Sequence, residues 1–158
     1  MIIINKRNLF FLISVWLLST LLSAQNVTIS TPHTQLLLSV PNGGTPEQLY
    51  YGSRTSDADI RSICETARRR NAYPVFGMGY PCETALSVRH ADGNLTLQMA
   101  VIGVKETRLT KENATLTVIE LKDKVYPFFV NICYKAWQDA DVIETWTEIR
   151  HEEKLSLI

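Results

Sequence analysis

Alternation of apolar and polar residues at every second position dominates the chain, and this pattern predicts β-strands. Strands are predicted over residues 27–31, 34–40, 48–52, 85–90, 95–101, 104–110, 114–122, 125–137 and 141–153. Short polar turns separate them, among them a Pro-Asn-Gly-Gly cluster from Pro41 and an Ala-Asp-Gly-Asn turn from Ala91. Long strands joined by short turns are typical of an antiparallel sandwich.

One helix interrupts this pattern, over residues 56–70. Ser56 or Asp57 is a suitable N-cap, and Tyr73-Pro74 ends the segment. One face is apolar, formed by Ile60, Ile63, Cys64 and Ala67. Three arginines, residues 68–70, are expected at its solvated C-terminal end, where cations oppose the helix dipole. The fold class predicted is therefore mainly β: a large antiparallel β-sandwich, supersandwich-like and incomplete, with one short helix.

The first 24 residues have a different character. Lys6 and Arg7 precede an apolar run that ends at Ala24, which is typical of a secretory signal peptide. An uncleaved membrane anchor is the alternative, although the run is short for a full span. We expect cleavage before Gln25, export to the periplasm or the extracellular space, and no membrane attachment after cleavage. Residues 25–158 then form one domain.

Charge and cysteine content narrow the function classes. The chain has 16 basic and 16 acidic residues, which argues against a nucleic-acid partner. It has three cysteines, Cys64, Cys82 and Cys133, and no C-x-x-C motif. A Cys64–Cys82 disulfide and two or three buried free thiols both remain open at this point.

A search for catalytic spacings finds no G-x-S-x-G, P-loop or H-E-x-x-H motif. His33, His90 and His151 are isolated, and His90 is expected to be a hydrogen-bonded surface imidazole. Glu83 is the most interesting carboxylate, although a loop glutamate that accepts backbone N–H groups is the simpler interpretation. The spacing of residues therefore assigns no catalytic residue, no cofactor-binding residue and no metal ligand, and it implies no cofactor.

Aromatic residues on the predicted strands are expected in the sandwich core or at its edge. Trp146 is assigned to the core on this basis, covering an edge between the sheets. The uncharged segment of residues 126–134 is expected to be the strand most prone to associate with other chains.

Four segments, in order along the chain, carry a resemblance to a known family. They are YPVFG at 73–77, ETALSVRHADGN at 83–94, LKDKVYPFFVNICYKAW at 121–137 and DVIETWTEIRHEEK at 141–154. Together they resemble the N-terminal domain of glycoside hydrolase family 36, the α-galactosidases, especially the exported bacterial forms.

The resemblance implies a β-supersandwich that precedes a catalytic (β/α)8 barrel of the same polypeptide. The family's catalytic aspartates lie on that barrel, so none is carried over to this chain, which we expect to be a fragment that is inactive alone. It also implies a homo-oligomer in the full-length enzyme and a galactoside substrate met only through that enzyme. Residues 73–79 are expected to be a structural connection into the sheet, at a domain or subunit interface. A self-contained carbohydrate-binding or adhesive sandwich and a purely structural assembly module are the alternatives.

Overall fold

The computed structural model describes residues 25–154, which form two antiparallel four-stranded sheets. The first sheet has the order β1-β2-β3-β4, and its strands are β1 (Gln25–Ser30), β2 (Thr34–Val40), β3 (Glu47–Ser53) and β4 (Arg70–Asn71). The second has the order β5-β6-β7-β8, with β5 (Met99–Leu109), β6 (Ala114–Asp123), β7 (Phe128–Trp137) and β8 (Val142–His151). The predicted mainly β sandwich with one short helix is confirmed. The predicted signal peptide, residues 1–24, lies outside the described residues.

The core lies between the two sheets, because alternate side chains of each strand point inward. In the first sheet Val27, Ile29, Leu36, Leu38 and Val40 face this core. The second sheet contributes the inward residues of three strands: Met99, Val101, Ile119, Leu121, Phe128, Val130, Ile132, Tyr134 and Ala136. The turn between β2 and β3 joins the sheets directly, since Gly43 N donates to Val101 O at 3.0 Å and Val101 N donates to Gly44 O at 2.8 Å.

A long irregular segment, residues 73–98, connects the first sheet to the second, and we call it the connecting layer. Its one ladder contact is an isolated parallel bridge between Val75 and Leu86. It is nevertheless well packed, because Tyr73, Val75 and Leu97 belong to the core and Leu86 and Val88 lie against it. The layer closes one end of the sandwich.

The strand predicted at 85–90 is therefore wrong. The strand predicted at 95–101 is present only from Met99, where it continues into the segment predicted at 104–110 as the single strand β5. The apolar residues alternate because one side of the segment packs on the core while the other faces solvent. Outside the Val75–Leu86 bridge the segment has no neighbouring strand to pair with. Sheet structure begins only at Met99, where β6 becomes available as a partner.

Helix α1 (Asp57–Thr66) begins as predicted, with Ser56 as N-cap accepting a hydrogen bond from Asp59 N. The predicted apolar face is half-buried and packs beside the first sheet. The helix ends at Thr66 because Ala67 is extended, so the arginines at 68–70 lie beyond it, contrary to the prediction. Arg70 belongs to β4 and Arg69 forms an ion pair with Glu47. Over residues 25–154 the structure has no helix with the length and apolar character of a membrane span.

Candidate functional site

A cluster of polar and aromatic residues forms where the connecting layer meets the ends of β7 and β8. We call it the His90 cluster, and its members are His90, Asp92, Asn94, Tyr126 and Glu153. Asp92 and Asn94 come from the predicted Ala-Asp-Gly-Asn turn, which the structure confirms, and His90 directly precedes that turn. Glu153 follows β8 directly, so the cluster joins residues 63 positions apart in the chain.

His90 is the buried centre of this cluster, with only 3% of its surface exposed. Its Nδ1 lies 2.8 Å from Glu153 Oε1. Because a carboxylate can only accept, Nδ1 carries the proton of this bond. The ring stacks on Tyr126 at 3.6 Å between centroids, and Phe128 meets it edge-on at 6.0 Å. The prediction of a surface imidazole was wrong, although the ring is hydrogen-bonded as expected.

The rest of the cluster is equally well connected. Tyr126 OH donates to Asp92 Oδ2 at 2.7 Å and accepts from Asn94 Nδ2 at 3.0 Å. Asp92 Oδ1 accepts from Asn94 N at 2.9 Å, which shapes the turn. Glu153 Oε2 accepts from Ala91 N at 3.0 Å. Each carboxylate oxygen of Asp92 and Glu153 thus has a donor supplied by the protein itself.

These donors set the electrostatics of the cluster. The Tyr126 hydroxyl, followed by the Asn94 N–H, lowers the pKa of Asp92, and the same bond raises the pKa of Tyr126. For Glu153, burial works to raise the pKa, but the Ala91 N–H and His90 outweigh it, and the pKa of Glu153 is lowered. Both carboxyl groups therefore stay ionised near neutral pH.

The geometry of the His90 cluster suits a structural role rather than catalysis. A general acid needs a raised pKa, and a nucleophile needs an uncommitted oxygen. Neither carboxylate meets these conditions. His90 Nε2 has no hydrogen-bond partner within residues 25–154, but it is buried and does not reach solvent. An open groove of about 530 Å³ runs beside the cluster, lined by Val88, Arg89, Gly93, Phe128 and His151 among others.

Three further depressions lie on the sandwich, and one of about 570 Å³ crosses the second sheet beside Phe129, Asn131 and Arg150. A polar one of about 210 Å³ includes Arg54, Glu106, Arg108 and Gln138 in its lining. The third, about 510 Å³, opens between the sheets beside β8 and is lined by Tyr51, Tyr73, Ile143 and Thr145 among others. Within the described part of the chain, His, Cys, Asp and Glu side chains form no cluster of three or more that could hold a metal ion.

Glu83, the carboxylate singled out in the sequence, does not converge with the other exposed carboxylates outside the His90 cluster. Glu83 is exposed in the connecting layer, whereas Asp139, Asp141 and Glu144 lie at the far end of β8. Asp141 receives hydrogen bonds from the Thr31 hydroxyl and from His33 N, the second at 3.0 Å. Glu144 accepts from Trp137 Nε1. These acidic groups stabilise turns and strands, and spacing alone gave no sign that Asp141 would bind the β1–β2 turn.

Trp146 does not lie in the core, so that assignment is wrong. Its register partner on β7 is Cys133, which alternates with the core residues Ile132 and Tyr134. Trp146 therefore faces away from the first sheet, half-buried, and its Nε1 donates to Glu148 Oε1 at 3.2 Å. Trp137 lies on the same outer face, with Lys135 Nζ 3.9 Å from its ring centroid.

All three cysteines are free, so there is no Cys64–Cys82 disulfide, but only Cys133 is buried, so the alternative of two or three buried thiols is wrong as well. Cys64 is half-buried and Cys82 is exposed. Burial raises the pKa of the Cys133 thiol to about 11, so it stays protonated. Unlike a catalytic thiol, this group is a small apolar filler of the sheet.

Comparison with protein families gives one match over most of the chain. Residues 44–158 match the model of the family described as the glycosyl hydrolase family 36 N-terminal domain. A comparison with curated proteins gave no match.

Solved structures of α-galactosidases share the fold. A variant of the family 36 α-galactosidase AgaA from Geobacillus stearothermophilus, in complex with 1-deoxygalactonojirimycin, superposes with a TM-score of 0.71 and 14% identity over 82% of this chain and 22% of that one. The α-galactosidase from Lactobacillus brevis gives a TM-score of 0.67 and 16% identity over 80% of this chain and 21% of that one. The galactosidase domain of the α-galactosidase-sucrose kinase AgaSK gives a TM-score of 0.62 and 22% identity over 77% and 21%. The chain thus spans about a fifth of the length of these structures.

Proposed function

Because the chain belongs to the glycosyl hydrolase family 36 N-terminal domain family, we propose that it is the N-terminal β-sandwich of an α-galactosidase-like glycoside hydrolase. The enzyme would act on terminal α-linked galactose. The match over residues 44–158 carries this proposal, and the shared fold of three α-galactosidase structures supports it.

The domain's part in that enzyme is support rather than catalysis. Retaining glycoside hydrolysis needs two carboxyl groups about 5–5.5 Å apart on either side of the scissile bond. The carboxylates of the His90 cluster are instead bonded to the protein, and Glu83 stands alone in its loop. The catalytic pair would come from a (β/α)8 barrel in further polypeptide, and the sandwich would hold that barrel and the subunits of a homo-oligomer.

The enzyme would also be exported from the cytosol. Residues 1–24 have the basic start, apolar run and small final residue of a signal peptide. An exported enzyme would meet galactosides in the periplasm or outside the cell.

A second candidate, a self-contained carbohydrate-binding sandwich, has one observation in its favour. Trp137 and Trp146 lie on the same outward face of the second sheet, and aromatic rings are the platforms on which sugars stack. Replacing Trp146 by alanine separates the two candidates. If the Trp146→Ala variant no longer bound galactosides but kept the wild-type melting temperature, the binding module would be favoured. If wild type and variant did not differ in galactoside binding, the accessory domain would be favoured.

The direct experiment is an assay on an aryl α-galactoside. Residues 25–158 alone should give no hydrolysis above a mock preparation. The polypeptide that also contains the barrel should hydrolyse the substrate, and deleting residues 25–154 from it should remove soluble activity. Hydrolysis by residues 25–158 that a Glu83→Gln change abolishes would contradict the proposal.

A further inference from the structure

The core-facing positions of strand β6 change from apolar to polar towards one end of the second sheet. Ile119 belongs to the core, and Thr117 and Thr115 occupy the next alternate positions on the same side of the strand. Their register partners on β7, Tyr134 and Ala136, are core residues, so both threonines face inward. The inner face of a sandwich strand is usually apolar, and two successive hydroxyls there depart from that rule.

A β-bulge in β5 brings two charged residues to the same inner face. The register with β6 shifts between Val101 and Gly103. One extra residue reverses which side chains of the following segment face the core. Val104, after the bulge, packs against the core, so Glu106 and Arg108 at the next alternate positions face the same side. Without the bulge both charges would point away from the first sheet.

These side chains line the polar depression of about 210 Å³, which we call the inter-sheet pocket. Its opposite wall comes from β1 and from Arg54, which follows β3. Gln138 joins the two walls, because its Nε2 donates to Ser30 O at 2.9 Å. Every residue of the lining except Ile29 and Ala136 has a polar side chain. The pocket is therefore a polar site built by both sheets.

The charged groups of the inter-sheet pocket are available to a ligand. Within residues 25–154 none of Arg54, Glu106 and Arg108 forms an ion pair. Arg108 Nη2 donates to Asn113 Oδ1 at 3.1 Å, and this bond orients the guanidinium while it occupies only one of the five N–H groups. Guanidinium groups can only donate and an ionised carboxylate can only accept, whereas the threonine hydroxyls do both.

A ligand of the inter-sheet pocket therefore has to present both donors and acceptors. The carboxylate of Glu106 would repel an anion, and the two guanidinium groups would repel a cation. A sugar ring meets the requirement, because each of its hydroxyls both donates and accepts. The volume of about 210 Å³ is below the roughly 300–1,000 Å³ of sites for drug-sized ligands, and it suits one ring rather than an oligosaccharide.

We propose that the inter-sheet pocket binds a single ring of a neutral sugar. Glu106 would accept a hydrogen bond from one sugar hydroxyl, and Arg54 and Arg108 would donate to others. The site goes beyond the proposed function, since binding there requires neither a barrel nor hydrolysis. It is also separate from the outward face that carries Trp137 and Trp146, which lies on the other side of the second sheet.

Saturation-transfer difference NMR on protein expressed from the full 158-residue chain tests this site. The probes are D-galactose and D-glucose, each titrated alone and then in the presence of inorganic sulfate as a competitor. The pocket variants are Glu106→Gln and Arg108→Gln. The matched control is Glu120→Gln, since Glu120 lies on the outer face of β6 and pairs with Lys105. Trp146→Ala controls for binding on the outward aromatic face, and melting temperatures show that each variant is folded.

The proposal predicts saturation transfer to at least one of the two hexoses. Each pocket variant should lower the affinity about tenfold or more, whereas Glu120→Gln and Trp146→Ala should bind as wild type does. No transfer to either hexose would overturn the proposal. Binding that is lost in Trp146→Ala and unchanged in both pocket variants would assign the sugar to the outer face instead. Displacement of the hexose by sulfate would identify an anion site and would also overturn it.

Discussion

Gly77 packs closely against Thr96 in the connecting layer. Its φ is +97°, a region that side-chain-bearing residues rarely adopt, and a Cβ placed there would lie 2.9 Å from Thr96 Cα. Gly79, two residues on, has a similar backbone, with φ at +73°, but open space around its Cβ position. A substitution at Gly79 therefore tests backbone strain alone, whereas one at Gly77 tests backbone strain together with close packing.

We expect Gly77→Ala to destabilise the domain more than Gly79→Ala. The left-handed backbone alone costs about 1–2 kcal/mol for a residue with a Cβ. At Gly77 the clash with Thr96 adds to that cost, because a backbone atom cannot swing aside. Urea denaturation of both variants measures the difference, and equal free energies of unfolding would contradict the packing described for the layer.

Asp141 stabilises the opposite end of the sandwich. It joins the β7–β8 turn to the β1–β2 turn by accepting hydrogen bonds from Thr31 and His33, more than a hundred residues earlier. The Thr31 hydroxyl and then the His33 N–H lower the pKa of Asp141. Its contribution to stability is thus present above the unfolded pKa, about 3.9, and is lost as the pH falls through the folded value.

Asp141→Asn should lower the melting temperature at pH 7, and the difference from wild type should shrink as the pH falls below about 4. Asparagine also tolerates the positive φ of this position, so the change tests the charge rather than the backbone. Asp139→Asn in the same turn is the control, since Asp139 accepts from Asn113 within its own sheet. A pH-independent loss at Asp141 would show that the carboxylate charge does not matter.

Strands β5 and β8 are the edges of the second sheet, and β8 is the more exposed of the two. Among the described residues no strand pairs with its outer edge. Its core-facing side is also poorly covered, since Ile149, opposite the buried Val130, is 51% exposed. An open edge of this length is a template for pairing with other chains. Residues 126–134, predicted to be that template, lie mainly in β7, which has neighbours on both sides.

A charge on this edge strand should therefore reduce self-association of the isolated domain. Ile149→Lys is expected to lower the apparent mass measured by light scattering while leaving the melting temperature nearly unchanged. The matched change Asn131→Lys, on the central strand β7, should not reduce association. If only Asn131→Lys reduced self-association, residues 126–134 rather than β8 would be the segment that associates with other chains.

The apolar–polar periodicity and the turn residues predicted most strands and the helix, but not which side chains are buried between the sheets. The strands from β1 to β3 and β5 to β8, the cap at Ser56 and the half-buried face of α1 follow from periodicity and turn residues. The connecting layer does not, because a segment packed on one side alternates whether or not a partner strand is present. The burial of His90 and the outward face of Trp146 depend on residues more than ten positions away, Glu153 and Cys133.

The whole polypeptide is expected to be exported. The pattern of residues 1–24 predicts that secreted material begins at Gln25. N-terminal sequencing of protein recovered outside the cytosol measures this. Material that begins at Met1, or that stays in the cytosol, would contradict it.

We propose that this sandwich serves a catalytic barrel in the same polypeptide. The sharpest test is to sequence the transcript beyond the codon for Ile158. We expect an open reading frame that continues into alternating strands and helices, as a (β/α)8 barrel requires. A stop codon directly after Ile158 would contradict the claim and leave the carbohydrate-binding sandwich as the better explanation.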